Sequence, residues 1–146
     1  MTIQRTKLTQ YRRYRPAVAI ARTHARELAE KWELLEVRDS LEMAVSELVT
    51  NAVVHGRAAK GSRVTVTYRL DEDRLRAEVR DWASGMPRIN RQSARGVYAT
   101  GGRGLQVVAA ITDRWGVIPR VIGKSVWFEF KRISASTDAA FDGEAS

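Results

Sequence analysis

LEMAVSELVTNAVVHG, residues 41–56, is the stretch whose reading decides the fold of this chain. Leu41, Ala44, Val45, Leu48, Ala52 and Val53 recur at helical spacing and predict a helix with one broad apolar stripe. Glu47, Asn51 and His55 fall at i, i+4 and i+8, so they stack on a narrow polar line beside that stripe. Gly56 follows where a helix commonly ends in a left-handed cap. An acid and an amide one turn apart can do two adjacent jobs. The amide oxygen can ligate a hard cation such as Mg²⁺, and the carboxylate can take or orient a proton. Taken alone, the same pattern also describes a solvated helix edge, and the rest of the chain decides between the two.

Working outward, 146 residues suffice for one domain with a real core, and 44% hydrophobic with 29% charged residues is the balance of an ordinary globular protein. No apolar run approaches membrane-spanning length, and the first residues, MTIQRTKLTQ, lack the apolar core of a secretory signal. Cysteine is absent, which excludes disulfides, thiolate metal sites and zinc fingers and points to a reducing cytoplasm. With only His24 and His55, a histidine-rich metal site is not expected. The net charge of +8 permits nucleic-acid binding, but it fits an anionic small ligand or an acidic protein partner equally well. No strand of the RNA-binding type, with aromatic and basic residues interleaved, is visible. Charge alone decides nothing.

Residues 1–15 are polar and basic, with Arg12, Arg13 and Arg15 clustered, and form either an irregular arm or an edge strand. Pro16 suits the first turn of a helix. Ala17, Ile20, Ala21, Ala25, Leu28, Ala29 and Trp32 then mark an apolar face running to about Glu33. A charged break, Glu36–Asp39, leads into the helix of residues 41–56, with Asp39 and Ser40 as its candidate caps. After a loop over 57–62 the period changes to two. Val64, Val66, Tyr68 and Leu70 predict a strand, Asp71–Asp73 a turn, and Leu75, Ala77 and Val79 a second strand, together a β-hairpin. Asp81 keeps the parity of the second strand. Either that strand persists and aims a carboxylate at the apolar layer, where it needs hydrogen-bond donors, or it stops at Arg80 and Asp81 opens a turn.

Residues 82–102 hold Gly85, Gly96, Gly101 and Gly102 with Arg88, Arg91 and Arg95, and no period survives. A loop of this length in a small domain is commonly functional or disordered. It ends in TGGRGLQVVAAIT, where Leu105, Val108, Ala109 and Thr112 resume helical spacing, so the glycines sit where a helix begins and backbone N–H groups can receive an anion. GGRGL is neither a P-loop nor a G-x-G-x-x-G turn. Trp115–Ile118 and Lys124–Lys131 complete the strands, the latter alternating Val126, Phe128 and Phe130 with Trp127 and Glu129. The stretch 133–146 is small, polar and acidic, as a flexible tail is. The expected organisation is an arm or edge strand over 1–15, one domain over 16–132 and a tail over 133–146. An acid–amide helix, a carboxylate ending an inward strand and an arginine-rich loop feeding a glycine-rich helix start together describe a nucleoside triphosphate site with Mg²⁺.

Four blocks carry a family likeness: ELVTNAVVHG (47–56), VRDWASGMP (79–87), GGRGL (101–105) and GKSVWFEF (123–130). In this order and spacing the chain, from about Pro16 to Arg132, resembles the GHKL ATPase superfamily, and within it the small bacterial anti-sigma-factor serine kinases. The resemblance implies an α+β, two-layer α/β sandwich of the Bergerat type. Its helices cover one face of a mixed, mainly antiparallel sheet, and ATP lies between the layers under a lid. It implies Asn51 as the Mg²⁺-binding asparagine, Glu47 as the base for a water or serine hydroxyl, and Asp81 as the acceptor for the adenine amino group. Gly85 falls on the second glycine of the adenine-side box, with Ala83 where the first would stand. Gly102, Gly104 and Leu105 match the phosphate-side box, with Arg103 between them in reach of phosphate oxygens. The family threonine before the last strand falls at Lys124, with Ser125 adjacent, and no role is carried over to either. His55 is expected to be a helix-end contact.

The implied partners are a sigma factor and an antagonist protein whose serine is phosphorylated, with the kinase a cytoplasmic homodimer. No helical hairpin bearing a phospho-accepting histidine is visible, which speaks against a full sensor histidine kinase. Two other readings stand beside the kinase. One is a protein-binding switch that uses ATP to order its lid without transfer. The other is a basic nucleic-acid-binding protein, which would show steep salt dependence.

Overall fold

The computed structural model describes residues 4–55, 62–82 and 104–132. The strands are β1 (Arg5–Arg12), β2 (Arg63–Leu70), β3 (Arg74–Asp81), β4 (Arg114–Pro119) and β5 (Lys124–Lys131), and the segments of period two became β2, β3 and β5. They make one sheet in the order β1-β2-β3-β5-β4, and each pairing among the described residues is antiparallel, where a mixed sheet was expected. Of the two alternatives for the N-terminal residues, the edge strand is the one formed. Its neighbour β2 joins β3 through a turn closed by a side chain: Asp71 Oδ1 accepts from the N–H groups of Asp73 and Arg74, each at 2.8 Å. The β4–β5 turn needs Gly123, whose φ is +78°. A side chain there would run into the backbone carbonyl of Asp81.

Helices α1 (Pro16–Lys31), α2 (Arg38–Thr50) and α3 (Gly104–Ile111) pack on one face of that sheet, α2 between the other two and against β3. Four alanines, Ala17, Ala21, Ala25 and Ala29, make the fully buried face of α1 and let it lie close to α2. Leu41, Ala44, Val45, Leu48 and Val49 of α2 meet Val64, Val66, Tyr68, Leu75, Ala77, Val79 and Phe128 of the sheet, all nearly inaccessible to water. The result is the expected α+β, two-layer sandwich.

Two local expectations need correction. Asp39 and Ser40 do not cap α2. The helix starts at Arg38 behind Val37, with no side-chain cap, because a 3₁₀ turn (Leu35–Val37) runs directly into it and supplies the preceding carbonyls. α2 ends at Thr50 and continues as a wider, π-helical turn over Asn51–His55, so the line Glu47, Asn51, His55 is not a straight stack. Gly56 lies outside the described residues, as does the His55 side chain. α1 stops at Lys31 in a Schellman arrangement: Leu34 N–H reaches Ala29 O at 2.7 Å and Glu33 N–H reaches Glu30 O at 3.2 Å. Glu33 takes the left-handed position with φ 60°, where glycine is usual.

No described helix covers the opposite face of the sheet, where an arginine–tryptophan–glutamate layer lies instead. Glu129 is only 8% exposed, held by Arg74, Arg76 and Arg114 at 3.3, 3.1 and 3.6 Å. Trp127 lies flat over Gly116, with the Arg76 guanidinium 4.2 Å and that of Arg114 5.8 Å from its ring centroid. Arg80 stacks 3.4 Å from the centre of Trp82, whose Nε1 donates to Thr65 Oγ1 at 2.9 Å. Arg120 bonds Glu78 at 2.8 Å and Ser125 at 3.1 Å. Burial pushes the Glu78 carboxyl up, but hydrogen bonds from Ser125 and Arg120 and the charges of Arg120 and Arg76 outweigh it, leaving it below the ordinary value. Aromatic and basic residues do interleave here, across strands rather than along one.

Candidate functional site

β3 runs through Asp81, which points inward and is 6% exposed, so of the two alternatives the persistent strand is the one formed. Among the described residues a donor that its burial demands is Arg13, from the connection between β1 and α1. Arg13 Nη2 donates to Asp81 Oδ1, Nη1 to the carbonyl of Ala52, and Nε to Ser62 Oγ at 2.8 Å. Both members of the ion pair keep only 8% of their side chains exposed. Burial lowers the pKa of the Arg13 guanidinium, which nonetheless stays a cation. Directly across the sheet from Asp81 stands Lys124, also lowered by burial, in a row that reads Tyr11, Val64, Asp81, Lys124, Pro119. Sequence reasoning missed Arg13. The two signals that could have found it are the unmet donor requirement of Asp81 and the basic run at residues 12–15.

Asn51 opens the π-helical turn, and Gly104 opens α3 against it. A Cβ at Gly104 would stand 2.8 Å from Asn51 Nδ2 and 3.3 Å from its Oδ1. Only glycine lets the start of α3 and this amide share the space. Leu105 is 3% exposed, its side chain in the core, so what it offers a ligand is its backbone N–H at the helix start. Glu47 lies one turn before Asn51, half-buried. Ala52 follows Asn51 and shares the Arg13 guanidinium with Asp81, so Gly104, Asn51, Ala52, Arg13 and Asp81 form one connected line. Gly85, Gly102 and Arg103 lie outside the described residues. A recess of about 310 Å³, lined by Gln10, Ser62, Arg63 and Trp82, opens elsewhere, on the outer side of the sheet.

Among the described residues no group of three or more His, Asp or Glu side chains could hold a metal. A cation beside Asn51 would take one amide oxygen from the protein and the rest from phosphate and water. That sparse oxygen set suits Mg²⁺, which keeps several waters and binds mainly through substrate phosphates.

Comparison with known proteins matches residues 12–130 to the histidine kinase-like ATPase domain. The anti-sigma F factor of Clostridium acetobutylicum is 42% identical over 57 residues, 39% of this chain and 40% of that protein. The sensor histidine kinase YxdK of Bacillus subtilis is 32% identical over 115 residues, 72% of this chain and 32% of that protein. The chain thus spans less than half the length of either relative. The antiparallel sheet covered on one face, the glycine-opened helix set against Asn51 and the match over residues 12–130 agree: this chain belongs to the histidine kinase-like ATPase (GHKL) family.

Proposed function

We propose that this protein binds ATP with Mg²⁺ and transfers the γ-phosphoryl group to a serine of an antagonist protein, regulating a sigma factor in the cytoplasm as a homodimer. The observation that carries the reading is the line of contacts from Gly104 through Asn51 to Asp81. Asp81 accepts from the 6-amino group of adenine at one end. Asn51 and the backbone N–H groups at the start of α3 hold the triphosphate at the other, assisted by Gly102 and Arg103, while Gly85 shapes the base side. Bound Mg²⁺ would supply charge neutralisation on the phosphate oxygens. Phosphoryl transfer asks mainly for positioning and neutralisation of charge, which these groups provide. Glu47, one turn from Asn51, accepts the proton of the serine hydroxyl as its oxygen bonds phosphorus and ADP leaves.

The test is incubation with labelled ATP, Mg²⁺ and a candidate antagonist. Label appearing on serine supports the kinase. Absence of phosphoserine with nucleotide still bound overturns it in favour of an ATP-dependent binding switch, a reading favoured by Ala83 in place of the adenine-box glycine. Glu47→Ala is expected to bind ATP normally and lose transfer by about 10²-fold or more, the usual scale of a general base. Asn51→Ala is expected to abolish Mg²⁺-dependent ATP binding, read by calorimetry, and to leave the fold intact.

A further inference from the structure

Asp81 is held by a residue that lies 68 positions earlier in the chain, and the way it is held bears on what it can recognise. A carboxylate turns easily about its last torsion, which is broad and roughly two-fold. Here one oxygen is fixed by Arg13 Nη2, and the guanidinium is itself immobilised at its other nitrogens by Ala52 O and Ser62 Oγ. The orientation of Asp81 is therefore tied to the end of α2 and the start of β2, the same segments that position Asn51 and the sheet floor. The planar fork matters as much as the charge, since the three donors of an ammonium radiate from one nitrogen and cannot reach three separate acceptors as the guanidinium nitrogens do here.

We propose that Arg13 is the positioning residue for base recognition, fixing the Asp81 carboxylate so that the site prefers a purine with a 6-amino group over one without it. This rests on the nucleotide-site reading above. Asp81 accepts from the guanidinium through a carboxylate oxygen, and a carboxylate offers its neighbours acceptors only. It rewards an N–H donor on the base edge and leaves a purine lacking that donor without compensation. Arg13 does not touch the base. It acts through Asp81, and through it the N-terminal segment becomes part of the specificity apparatus.

The experiment uses the full chain and measures by calorimetry the dissociation constants for ATP and for purine riboside 5′-triphosphate, which lacks the amino group, both with Mg²⁺. The wild type should prefer ATP. Arg13→Met should lower that preference by about ten-fold, the worth of one well-aligned charged hydrogen bond, while the affinity for the analogue changes little. Arg13→Lys, which keeps the charge and loses the fork, should restore only part of the preference. Should Arg13→Met fail to fold, Ser62→Ala removes the Nε anchor alone and should lower the preference by about three-fold.

A merely structural Arg13 would weaken both nucleotides by the same factor, and an unchanged ratio in the variants overturns the proposal while ATP binding stands. A rise in ATP affinity on Arg13→Met also overturns it, since the guanidinium would then be blocking the base. A wild type that binds both nucleotides equally removes Asp81 as the reader of the amino group and this role of Arg13 with it. If the wild type binds neither, the nucleotide-site reading fails first.

Discussion

Tyr68 is 1% exposed on the inner face of the sheet, and its hydroxyl has no hydrogen-bond partner among the described residues. Leaving such a group unsatisfied carries its whole desolvation penalty, so Tyr68→Phe should be neutral or raise stability by about 1 kcal/mol in denaturant unfolding. Gly104 behaves in the opposite way. Gly104→Ala puts a methyl group 2.8 Å from Asn51 Nδ2, the movable end of a side chain. The fold should therefore survive, while Mg²⁺-dependent nucleotide affinity falls by about ten-fold as the amide is displaced, the scale of one lost oriented contact. At this scale the sequence was legible where a local rule applied. Strand parity aimed Asp81 inward, and helical spacing set Glu47 one turn from Asn51. Arg13, which donates to Asp81, showed only as an unmet donor requirement and a basic run, because a side chain reaching across 68 positions leaves no periodic trace.

Element ends obey subtler rules than element interiors. The apolar stripes of α1 and α2 and the alternation in β2, β3 and β5 were readable because burial imposes a period on them. The start of α2 was not, since a 3₁₀ turn did the work that Asp39 or Ser40 would otherwise do. Nor was the π-helical turn, for it adds one residue per turn without a compositional mark. Glu33 ends α1 in a left-handed conformation on an exposed position, and a side chain with a Cβ is disfavoured there. Glu33→Gly should stabilise the protein by about 1 kcal/mol, measured as an increase in denaturant midpoint without a change of slope. Gly116→Ala should do the reverse. Its Cβ would lie within 2.7–2.8 Å of three atoms of the Trp127 indole, which rests on β4, and overpacking of this kind costs about 1–3 kcal/mol.

Across the whole molecule, pH should act from both ends. Burial raises the Tyr11 phenol to about 12 and pushes Tyr68 up as well, with the charge of Tyr11 adding to the shift at Tyr68. Their contribution is complete below the unfolded value of about 10 and is lost as pH climbs through the folded values, because the unfolded chain releases its protons first. Lys124, lowered by burial, works the other way, adding stability as pH rises, but it has finished by about pH 10.5. Thermal melting should therefore fall steeply above about pH 10.5, and less steeply in Tyr68→Phe. On the acid side Glu78 is held below its ordinary value, so its contribution is present above about pH 4.5 and disappears as pH falls through the folded value. Glu78→Gln should flatten that limb.

The sheet face that no described helix covers has a consequence for how copies of the molecule meet in solution. Its described side chains include Arg69, Arg74, Arg76, Arg80, Arg114 and Arg120, but only Glu78 and Glu129 of opposite sign. Two such faces brought together repel one another over a Debye length of about 10 Å at 0.1 M salt and about 3 Å at 1 M. Light scattering should thus register net repulsion between molecules that relaxes as salt is added. Pairing through the rims of the sheet, at β1 or β4, would escape this penalty.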